Sequence, residues 1–581
     1  MKRQRVISVL AFLALLAACQ KQDPPAPILP PSGGGSSSTP QPEPTPETPS
    51  PGDFYLPVLQ TTDIHGHIAY IDNSVHYRMA YIADKADDLR GTDRSRLLLV
   101  DGGDLYQGAS ISNLLDGWPV YVSIDRMGYD AVALGNHEFD WGVENLVEED
   151  ATLPAYEWQG KQYPGEVPVV CANLYQDGKR VDFTKDYVIV EKSAVSARGE
   201  VVPVKIGIVG FAVNYSNSIM TSRFKGQGYS IRADYSIANR MAQELESSGA
   251  CDATLLLVHG DASDVAPQLG KDTAIDLVLG GHSHAYRMGT TNWGLAYLQG
   301  GRYCERYATG RLVFSVDASG KTTFKSIDKM VMGEVNAYRD LAQFSSELSA
   351  DIMAVSDEAL SRTAQAQQDV LGYIAVGATT YSLNGSGGRS SSMANWMCDL
   401  LRRAGNADIA FVNSGGIRAT FPLNGQSRRN ITVANVYDMF PFDNNIYVYN
   451  LTYAELLTVF KYALTAGGQA LFSCEVGVDC YYEGSQVKKL SKDGVVLYEN
   501  GSWKEDWASR TVTLVASEYL ATTERTDYST GIPNPLIDWN STDRLVSSSQ
   551  VDNDAVVRVL RTESAASGGL LYIDLHPYFH Q

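Results

Sequence analysis

The stretch 135–140, Gly-Asn-His-Glu-Phe-Asp, brings an amide, an imidazole and two carboxylates together. It follows the largely apolar run 130–134, whose composition predicts a buried strand of a parallel sheet. Polar side chains just past the carboxyl end of a strand lie where open α/β sheets keep their active sites. The stretch therefore predicts a binding site if other strand ends bring suitable side chains to the same edge.

Other apolar runs also end in residues that can ligate metals; they are 55–62, 96–100, 252–258 and 275–279. These runs deliver Asp63, His65, His67, Asp104, His259, His282 and His284. Helical patterns alternate with the runs, which predicts a mostly parallel sheet with helices on its faces. One His at a strand end is more often structural than a ligand, but five such strand ends together predict a metal site.

The chemistry of these side chains indicates which metals would bind. Carboxylates, imidazoles and the amide oxygen of Asn136, with no thiolate, suit divalent ions such as Mn²⁺, Zn²⁺, Fe²⁺ or Co²⁺. Seven candidate ligands are too many for one ion, whereas two ions that share a bridging carboxylate fit the number. A pair of ions about 3.5–4 Å apart is the arrangement of many phosphatases and nucleases.

These motifs resemble those of a known family. In order along the chain they are Asp63-x-His65, Gly103-Asp104, the stretch 135–138, His259 and the stretch 281–284, Gly-His-Ser-His. They resemble the blocks of the calcineurin-like metallophosphoesterases, and the longer form Gly-Asn-His-Glu-Phe-Asp resembles the 5′-nucleotidase/UDP-sugar hydrolase branch. The resemblance implies an N-terminal α/β-sandwich metallophosphoesterase domain, joined by a linker helix to a C-terminal α/β substrate-binding domain.

The resemblance also implies a role for each site residue. Asp63, His65 and His284 would hold the first metal, and Asn136, His259 and His282 the second. Asp104 would bridge the two ions. His137 would contact the phosphate, and Asp140 would orient it, which requires a helical turn because the two are three residues apart. The family pattern gives no ligand role to His67 or Glu138, and we expect Glu138 to be structural.

Apolar residues recur at helical spacing among charges from 336 to 358, which predicts an amphipathic connector. We therefore place the first domain at 54–334, the linker helix at 335–360 and the second domain at 361–581. In the resembled family such a helix joins two domains that rotate relative to one another. Near the end of the chain we expect a surface helix over 552–561 and a strand over 570–575.

The second domain carries the predicted substrate residues. A buried strand over 407–413 ends in Asn413-Ser-Gly415-Gly, whose glycines bring the backbone close to a ligand, and Arg418 supplies a planar charged fork for phosphate. The resemblance implies that Arg389 also faces the substrate. It further implies that Phe442 and a later aromatic residue sandwich the nucleobase. Tyr519 is either that aromatic or a core residue at the end of a strand. Asp527 would accept the sugar hydroxyl, although the glycines that usually precede this position are missing here.

The first residues indicate export. Residues 1–18 combine a charged start with a short apolar core, which predicts a signal peptide. Small residues directly before Cys19 resemble a bacterial lipoprotein signal, with lipid attached to Cys19. Residues 19–53 are rich in Pro, Ser and Gly and predict a flexible tether. We expect a monomer in the cell envelope, lipid-anchored at the outer membrane or on the periplasmic face, that meets the membrane only through this anchor.

Net charge and cysteine content bear on the partners of the protein and on its possible disulfides. The formal charge of −20 argues against a nucleic-acid polymer as partner. The sequence predicts buried thiols at Cys171, Cys251, Cys304 and Cys398, and allows a loop disulfide between Cys474 and Cys480.

Together these features predict a two-metal hydrolase that releases phosphate from extracytoplasmic nucleotides. The alternatives are a 2′,3′-cyclic-nucleotide phosphodiesterase/3′-nucleotidase or a UDP-sugar hydrolase, which share the metal machinery. A catalytically dead nucleotide-binding surface lipoprotein is an alternative of another class. It would be expected to lack ligands, and the family pattern is complete here.

Overall fold

A computed structural model describes most of the chain after the predicted tether. The described residues are 51–71, 75–143, 147–148, 150–213, 227–335, 344, 346–375, 392–413, 416–421, 423, 426–465, 472–519, 545–573 and 576–581. The predicted signal peptide, Cys19 and nearly all of the tether lie outside them. No helix in the described part of the chain is long and apolar enough to cross a membrane.

The described residues form helices and strands that alternate in the first half and segregate more in the second. The helices are α1 (Arg78–Arg90), α2 (Ser110–Asn113), α3 (Trp118–Met127), α4 (Ser236–Ser248), α5 (Ala262–Val265), α6 (Glu347–Arg362), α7 (Ala364–Gln368), α8 (Ser392–Ala404), α9 (Val433–Met439), α10 (Tyr453–Thr465) and α11 (Asp552–Ser567). The strands of the first half are β1 (Gly52–Thr61), β2 (Tyr70–Ile71), β3 (Val75–His76), β4 (Leu98–Asp101), β5 (Ala131–Ala133), β6 (Tyr156–Trp158), β7 (Lys161–Tyr163), β8 (Val169–Val170), β9 (Leu174–Gln176), β10 (Lys179–Arg180), β11 (Tyr187–Ser196), β12 (Val201–Ala212), β13 (Tyr229–Ile231), β14 (Ala253–His259), β15 (Leu277–Leu279), β16 (Tyr286–Thr290), β17 (Ala296–Gly300), β18 (Arg306–Val316) and β19 (Thr322–Glu334). Those of the second half are β20 (Val370–Ala375), β21 (Ile409–Asn413), β22 (Arg428–Thr432), β23 (Asn445–Thr452), β24 (Phe472–Val476), β25 (Asp479–Glu483), β26 (Gln486–Lys492), β27 (Val495–Glu499), β28 (Ser502–Trp503), β29 (Thr511–Ser517), β30 (Leu545–Val551) and β31 (Phe579–His580).

The first domain is built on a sheet of twelve strands among the described residues, with the path β16-β17-β15-β14-β12-β11-β1-β4-β5-β8. Strand β18 also pairs with β1, and β19 pairs with β18. The runs β1-β4-β5-β8 and β12-β14-β15-β17 are parallel, and they include every strand that we expected to carry ligands. The sheet is mostly parallel, as predicted, but β11, β16, β18 and β19 pair antiparallel. The pairs β11–β12, β16–β17 and β18–β19 are hairpins, whereas β1 pairs with β11 and β18 from distant parts of the chain.

The two parallel runs face each other across a shared core. Val58 and Val100 of one run and Ile208 and Leu257 of the other belong to one cluster of fully buried side chains. Because side chains alternate along a strand, the neighbouring residues point outward, towards α1 and α3 on one side and α4 on the other. The result is the predicted α/β sandwich, with helices outside two layers of strands.

The linker helix is shorter than predicted. Helix α6 begins at Glu347, where the Ser346 hydroxyl accepts a hydrogen bond from the Ser349 backbone N–H. Residues 336–343 lie outside the described residues. Ile352 and Val355 of α6 pack into the first domain, and Asp357 accepts a hydrogen bond from the Tyr77 hydroxyl at 2.5 Å. The linker helix is therefore packed against the first domain along its length.

The second domain contains two five-stranded sheets in the part that the structure describes, ordered β24-β21-β29-β23-β30 and β28-β27-β26-β25-β31. Trp396 in α8 is fully buried and packs in a cluster that includes Leu560 of α11. Helix α11 covers the helix that we expected over 552–561. It lies at the surface with one buried face, since Ala555, Val556 and Leu560 are buried whereas Asp554 and Arg558 are exposed. The predicted strand over 570–575 is wrong, because residues 571–573 are not in a strand and the next described strand is β31.

The cysteine predictions hold in part. Cys171, Cys304 and Cys398 are buried, whereas Cys251 is half-buried. The Cys480 side chain is buried, and the side chain of Cys474 lies outside the described residues. The disulfide between them stays a prediction.

Candidate metal centre and active site

The predicted ligands come together because the ends of five parallel strands meet at one edge. Asp63 and His65 follow β1, Asp104 follows β4, and Asn136 follows β5. His259 is the last residue of β14, and His282 and His284 follow β15. Glycines let the two halves of the sandwich approach each other there. A Cβ at Gly281 would lie 2.5 Å from Thr62 Oγ1 and 2.8 Å from the Gly102 carbonyl oxygen. Only glycine fits a backbone approach this close.

One group of donors consists of Asp63, His65 and His284. The Nε2 atoms of His65 and His284 are 3.1 Å apart, and His284 Nε2 is 3.5 Å from Asp63 Oδ1. Burial lowers the pKa of the His65 imidazole well below its usual value and that of His284 to about 2. Both imidazoles are therefore neutral and able to ligate a metal.

A second group consists of Asp104, His259 and His282, with the amide oxygen of Asn136 between the two imidazoles. Asn136 Oδ1 lies 3.2 Å from His259 Nε2 and 3.0 Å from His282 Nδ1. Burial lowers the pKa of His259, but the carboxylate of Asp104, 3.0 Å away, raises it to about 10. The negative potential that attracts a proton there also attracts a divalent cation.

Asp104 lies between the two groups. Its Oδ2 atom is 3.0 Å from His259 Nε2 in one group and 3.7 Å from His65 Nε2 in the other. The carboxylate is 1% exposed, so water cannot satisfy it fully. Its position fits a ligand shared by two ions.

The hydrogen bonds behind the imidazoles show that the donor set fits metal ions. His65 Nδ1 lies 2.7 Å from the Gln107 carbonyl oxygen, and His259 Nδ1 lies 2.7 Å from that of Gly102. A carbonyl only accepts, so each Nδ1 carries the proton, and Nε2 of a neutral ring has its lone pair turned towards the other donors. A bound cation would take the place of the proton that His259 Nε2 shares with Asp104, and the other Nε2 lone pairs and carboxylate oxygens converge on the same space.

The backbone at the site is held in a costly conformation. Five of the seven predicted ligands have φ between 48° and 71°, in the left-handed region; they are Asp63, His65, Asp104, His282 and His284. Non-glycine residues enter this region at an energetic cost and persist there when the surrounding structure fixes them. Such residues cluster at functional sites.

The stretch 135–140 divides into three tasks. Residues His137–Phe139 form a single 3₁₀ turn, which brings His137 Nδ1 to 2.7 Å from Asp140 Oδ2. The Glu138 carboxylate instead accepts hydrogen bonds from the backbone N–H groups of Asp104, Leu105 and Gly135, at 3.1, 2.7 and 2.7 Å. Asn136 faces the imidazoles, His137 pairs with Asp140, and Glu138 holds the loop of Asp104 in place, as expected of a structural residue.

The second domain reaches the same site. The Phe442 ring lies 5.5 Å from the His137 ring, and the Arg418 guanidinium lies 5.1 Å from the Phe442 ring. Arg418 Nε is buried and has no hydrogen-bond partner among the described residues. A buried cation with a donor to spare suits an anionic ligand.

Two family models match the chain on either side of the linker helix. One, described as "Calcineurin-like phosphoesterase", matches residues 56–286, and the other, "5'-nucleotidase, C-terminal domain", matches residues 369–503. The chain belongs to the calcineurin-like phosphoesterases that carry a 5′-nucleotidase C-terminal domain. It is a metal-dependent phosphoesterase, and its fold uses two divalent metal ions, which the two donor groups fit.

The relatives have low identity to this chain, and the aligned share differs between them. A 5′-nucleotidase of Diplobatis ommata is 25% identical over 448 residues, which are 72% of this chain and 72% of that protein. A 2′,3′-cyclic-nucleotide 2′-phosphodiesterase/3′-nucleotidase of Haemophilus influenzae is 28% identical over 261 residues, 40% of this chain and 36% of that protein. The structure of a 5′-nucleotidase precursor from Thermus thermophilus has the same fold, with a TM-score of 0.66 at 19% identity, and covers 91% of this chain and 99% of that one.

The predicted site residues that remain belong to the second domain. Tyr519 is half-buried and packs beside a core cluster that contains Phe411 and Tyr449, and both of its predicted roles stay predictions. The predicted substrate residues Arg389, Gly415 and Asp527 lie outside the described residues, as does the side chain of Asn413. His67 has its ring 4.2 Å from the ring of Tyr303 and belongs to neither group of donors.

Sequence reasoning missed the residues that orient the ligands. The carbonyl groups of Gln107 and Gly102 fix the tautomers of His65 and His259, and no side-chain pattern marks a carbonyl. Tyr303 was also missed. Its backbone N–H donates to the Asp63 carbonyl at 2.8 Å, and its ring lies 5.4 Å from that of His284. The nearby sequence Gly300-Gly301, which allows a sharp turn after β17, was the available signal.

Proposed function

We propose that this phosphoesterase hydrolyses the phosphate monoesters of extracytoplasmic nucleoside 5′-monophosphates to nucleoside and phosphate. The observation that carries the proposal is the position of Phe442 and Arg418 of the second domain beside His137 of the first. An aromatic face and a guanidinium next to a metal centre suit a substrate that has a base at one end and a phosphate at the other.

In this proposal the two donor groups would hold the metal ions. Asp63, His65 and His284 would hold the first, Asn136, His259 and His282 would hold the second, and Asp104 would serve both. Bound divalent ions supply an activated water and offset the charge of the phosphoryl oxygens.

The other residues position the ester. Asp140 occupies Nδ1 of His137, so Nε2 is the nitrogen left for the phosphoryl or leaving oxygen. Arg418 adds positive charge to the same site, since it lowers the pKa of both His65 and His284. The negative charge that develops on the phosphoryl oxygens during hydrolysis would thus lie beside fixed hydrogen-bond donors in a water-poor environment. Phe442 would stack on the base.

A second candidate is hydrolysis of 2′,3′-cyclic nucleotides and 3′-nucleotides, because the Haemophilus influenzae relative carries that name. UDP-sugar hydrolysis is a variant of the same chemistry. The test is hydrolysis of AMP, 3′-AMP, 2′,3′-cyclic AMP and UDP-glucose with Mn²⁺, Zn²⁺ or Co²⁺ present. Phosphate release measures the two monoesters, and chromatography of the nucleotide products measures the cyclic nucleotide and UDP-glucose, whose first hydrolysis releases no inorganic phosphate. We expect AMP to have the highest kcat/KM. Turnover of the other substrates without phosphate release from AMP would contradict the proposal, and no turnover of any substrate would favour a binding protein.

We further propose that the enzyme acts outside the cytoplasm as a lipid-anchored monomer in the cell envelope, at the outer membrane or the periplasmic face. The support is Cys19 after small residues, followed by the Pro- and Ser-rich stretch to residue 53. Cys19→Ser should move the activity from the membrane to the soluble fraction and abolish labelling with radioactive palmitate. Sedimentation of the detergent-solubilised protein tests the monomer.

A further inference from the structure

A second set of metal-type side chains lies in the second domain, on a different sheet from the active site. Asp479 opens β25, and His576 and His580 lie about 100 residues later, before and within β31. Strand β31 pairs in parallel with β25, with Cys480 opposite Phe579 and Tyr481 opposite His580. The backbone pairing therefore places His580 opposite Tyr481, which is two residues from Asp479 and faces the same side of β25.

Both imidazoles point at one oxygen atom. His576 Nε2 lies 2.6 Å and His580 Nε2 lies 2.8 Å from Asp479 Oδ1, and the two rings are 5.9 Å apart. Apart from the two donor groups at the active site and the overlapping set at His137, this is the remaining cluster of three metal-type ligands among the described residues.

The ligand rings are held before any metal binds. The His580 ring stacks on Tyr481 at 4.3 Å with an interplanar angle of 14°, and the His576 ring contacts Tyr578 edge-on at 4.7 Å. The His576 carbonyl accepts a hydrogen bond from Asn395 Nδ2 at 2.6 Å. Packing and hydrogen bonds that restrict the rotamers of ligating side chains favour metal binding, because less conformational freedom is lost.

We propose that Asp479, His576 and His580 form a third metal site, which binds Zn²⁺ or a similar divalent transition metal and clamps the segment 576–580 onto β25. Two imidazoles and one carboxylate are a common donor set for such ions, with water in the open position. This site is independent of the proposed catalytic function, because its ligands lie on another domain from the dinuclear centre.

The geometry needs a small opening. Zn–N and Zn–O bonds of about 2.0–2.2 Å in a tetrahedron place ligand atoms roughly 3.3 Å apart, so both Nε2–Oδ1 distances must widen by about 0.5–0.7 Å. The His576 side chain is 49% exposed and has room to move outward, whereas that of Asp479 is 18% exposed. The proton on each Nε2 moves to Nδ1, which leaves Nε2 free to bind the metal.

The alternative is a purely structural pair of hydrogen bonds from the two imidazoles to Asp479. The substitutions His576→Gln and His580→Gln separate the two explanations, since a glutamine amide can still donate to the carboxylate but ligates Zn²⁺ poorly. A matched control is Glu499→Gln, which removes a carboxylate from β27 of the same sheet.

The experiment uses the full chain. Chelator-treated protein is dialysed against buffered Zn²⁺, and bound metal is counted by mass spectrometry. We expect three equivalents for the wild type and for Glu499→Gln, and two for the double variant with AMP hydrolysis within about twofold of wild type. Zn²⁺ should raise the midpoint of thermal unfolding more for the wild type than for the double variant, because metal that binds only the folded state stabilises it. Two equivalents in the wild type, or an equal count in the double variant, would overturn the proposal.

Discussion

The ring of Phe442 lies 5.5 Å from the ring of His137, at an interplanar angle of 33°, although the two residues belong to different domains. The same interface contains a hydrogen bond from the Ser110 backbone N–H to Asp438 Oδ1 at 2.8 Å. The second domain thus closes over the metal centre in this conformation. Phe442 therefore lies beside the metal centre, where the proposed function places the base of the substrate.

Replacement of Phe442 by Ala should raise KM for AMP by about 5- to 100-fold, because stacking of a base on an aromatic ring contributes roughly 1–3 kcal/mol. Ribose 5-phosphate has no base, so its kcat/KM should change much less. Steady-state phosphate release with both substrates measures the difference. The control is Trp293→Ala, which removes an exposed aromatic elsewhere. An equal loss for both substrates would show that Phe442 supports His137 rather than the base.

Replacement of Asp140 by Asn should lower kcat by roughly 10²–10⁴-fold, because the charge that orients and stabilises the His137 imidazole is lost while the shape is kept. KM for AMP and bound metal should stay near wild-type values, since neither residue is among the predicted ligands. Kinetics and metal analysis of the same preparation provide the measurement. Asp150→Asn is a control, because Asp150 contacts Thr152 rather than His137. Loss of metal in Asp140→Asn would assign the residue to the metal centre instead.

The ligands could be found in the sequence because each follows a buried apolar run, and the ends of parallel strands meet at one edge. The rest depends on contacts distant in sequence. Antiparallel pairing of β18 with β1 joins residues about 250 apart, and no local pattern fixes it. The tautomers of His65 and His259 depend on carbonyl groups, which every residue has.

Local sequence patterns were also insufficient where packing between distant residues determines the structure. The apolar spacing that predicted a linker helix from residue 335 continues across the Ser346 cap, and spacing alone does not locate a cap. The sequence is compatible with base stacking and with a core position for Tyr519, and a half-buried ring beside the cluster of Phe411 is compatible with both. The left-handed backbone of Asp63 and Asp104 has only a weak signal, because Asp enters this region more often than most residues but usually lies outside it.

Replacement of Glu138 by Gln should destabilise the fold by about 1–3 kcal/mol and weaken metal binding, because one amide oxygen cannot serve three backbone N–H donors. Two of those donors belong to Asp104 and Leu105, so the loop of the bridging carboxylate would shift. Urea unfolding of the chelated protein and metal retention during dialysis test both effects. The control is Glu157→Gln. The Glu157 side chain is exposed, and its carboxylate accepts a hydrogen bond from Gln162 Nε2. Unchanged stability and unchanged metal retention would remove Glu138 from this role.

Asp276 gives the first domain a pH dependence that is distant from the metal ligands. Burial raises the pKa of its carboxyl group from 3.8 to about 6, against the stabilising hydrogen bond from the Thr254 backbone N–H at 2.8 Å. The folded state therefore binds this proton more tightly than the unfolded state. The contribution of Asp276 to stability is largest below about pH 3.8 and is lost as the pH rises through about 6.

Replacement of Asp276 by Asn should therefore raise the free energy of unfolding at pH 8 by up to about 3 kcal/mol, since the amide oxygen still accepts from Thr254 and no buried charge remains. The difference between variant and wild type should shrink steadily as the pH falls from 7 to 5. Urea titrations followed by tryptophan fluorescence at several pH values measure it. The control is Asp317→Asn, in an exposed turn where a hydrogen bond from the Ser319 side chain lowers the pKa of the carboxyl group. That variant should be less stable than wild type, by an amount that does not change between pH 5 and 8. A pH-independent effect of Asp276→Asn would show that its carboxyl group does not titrate in this range.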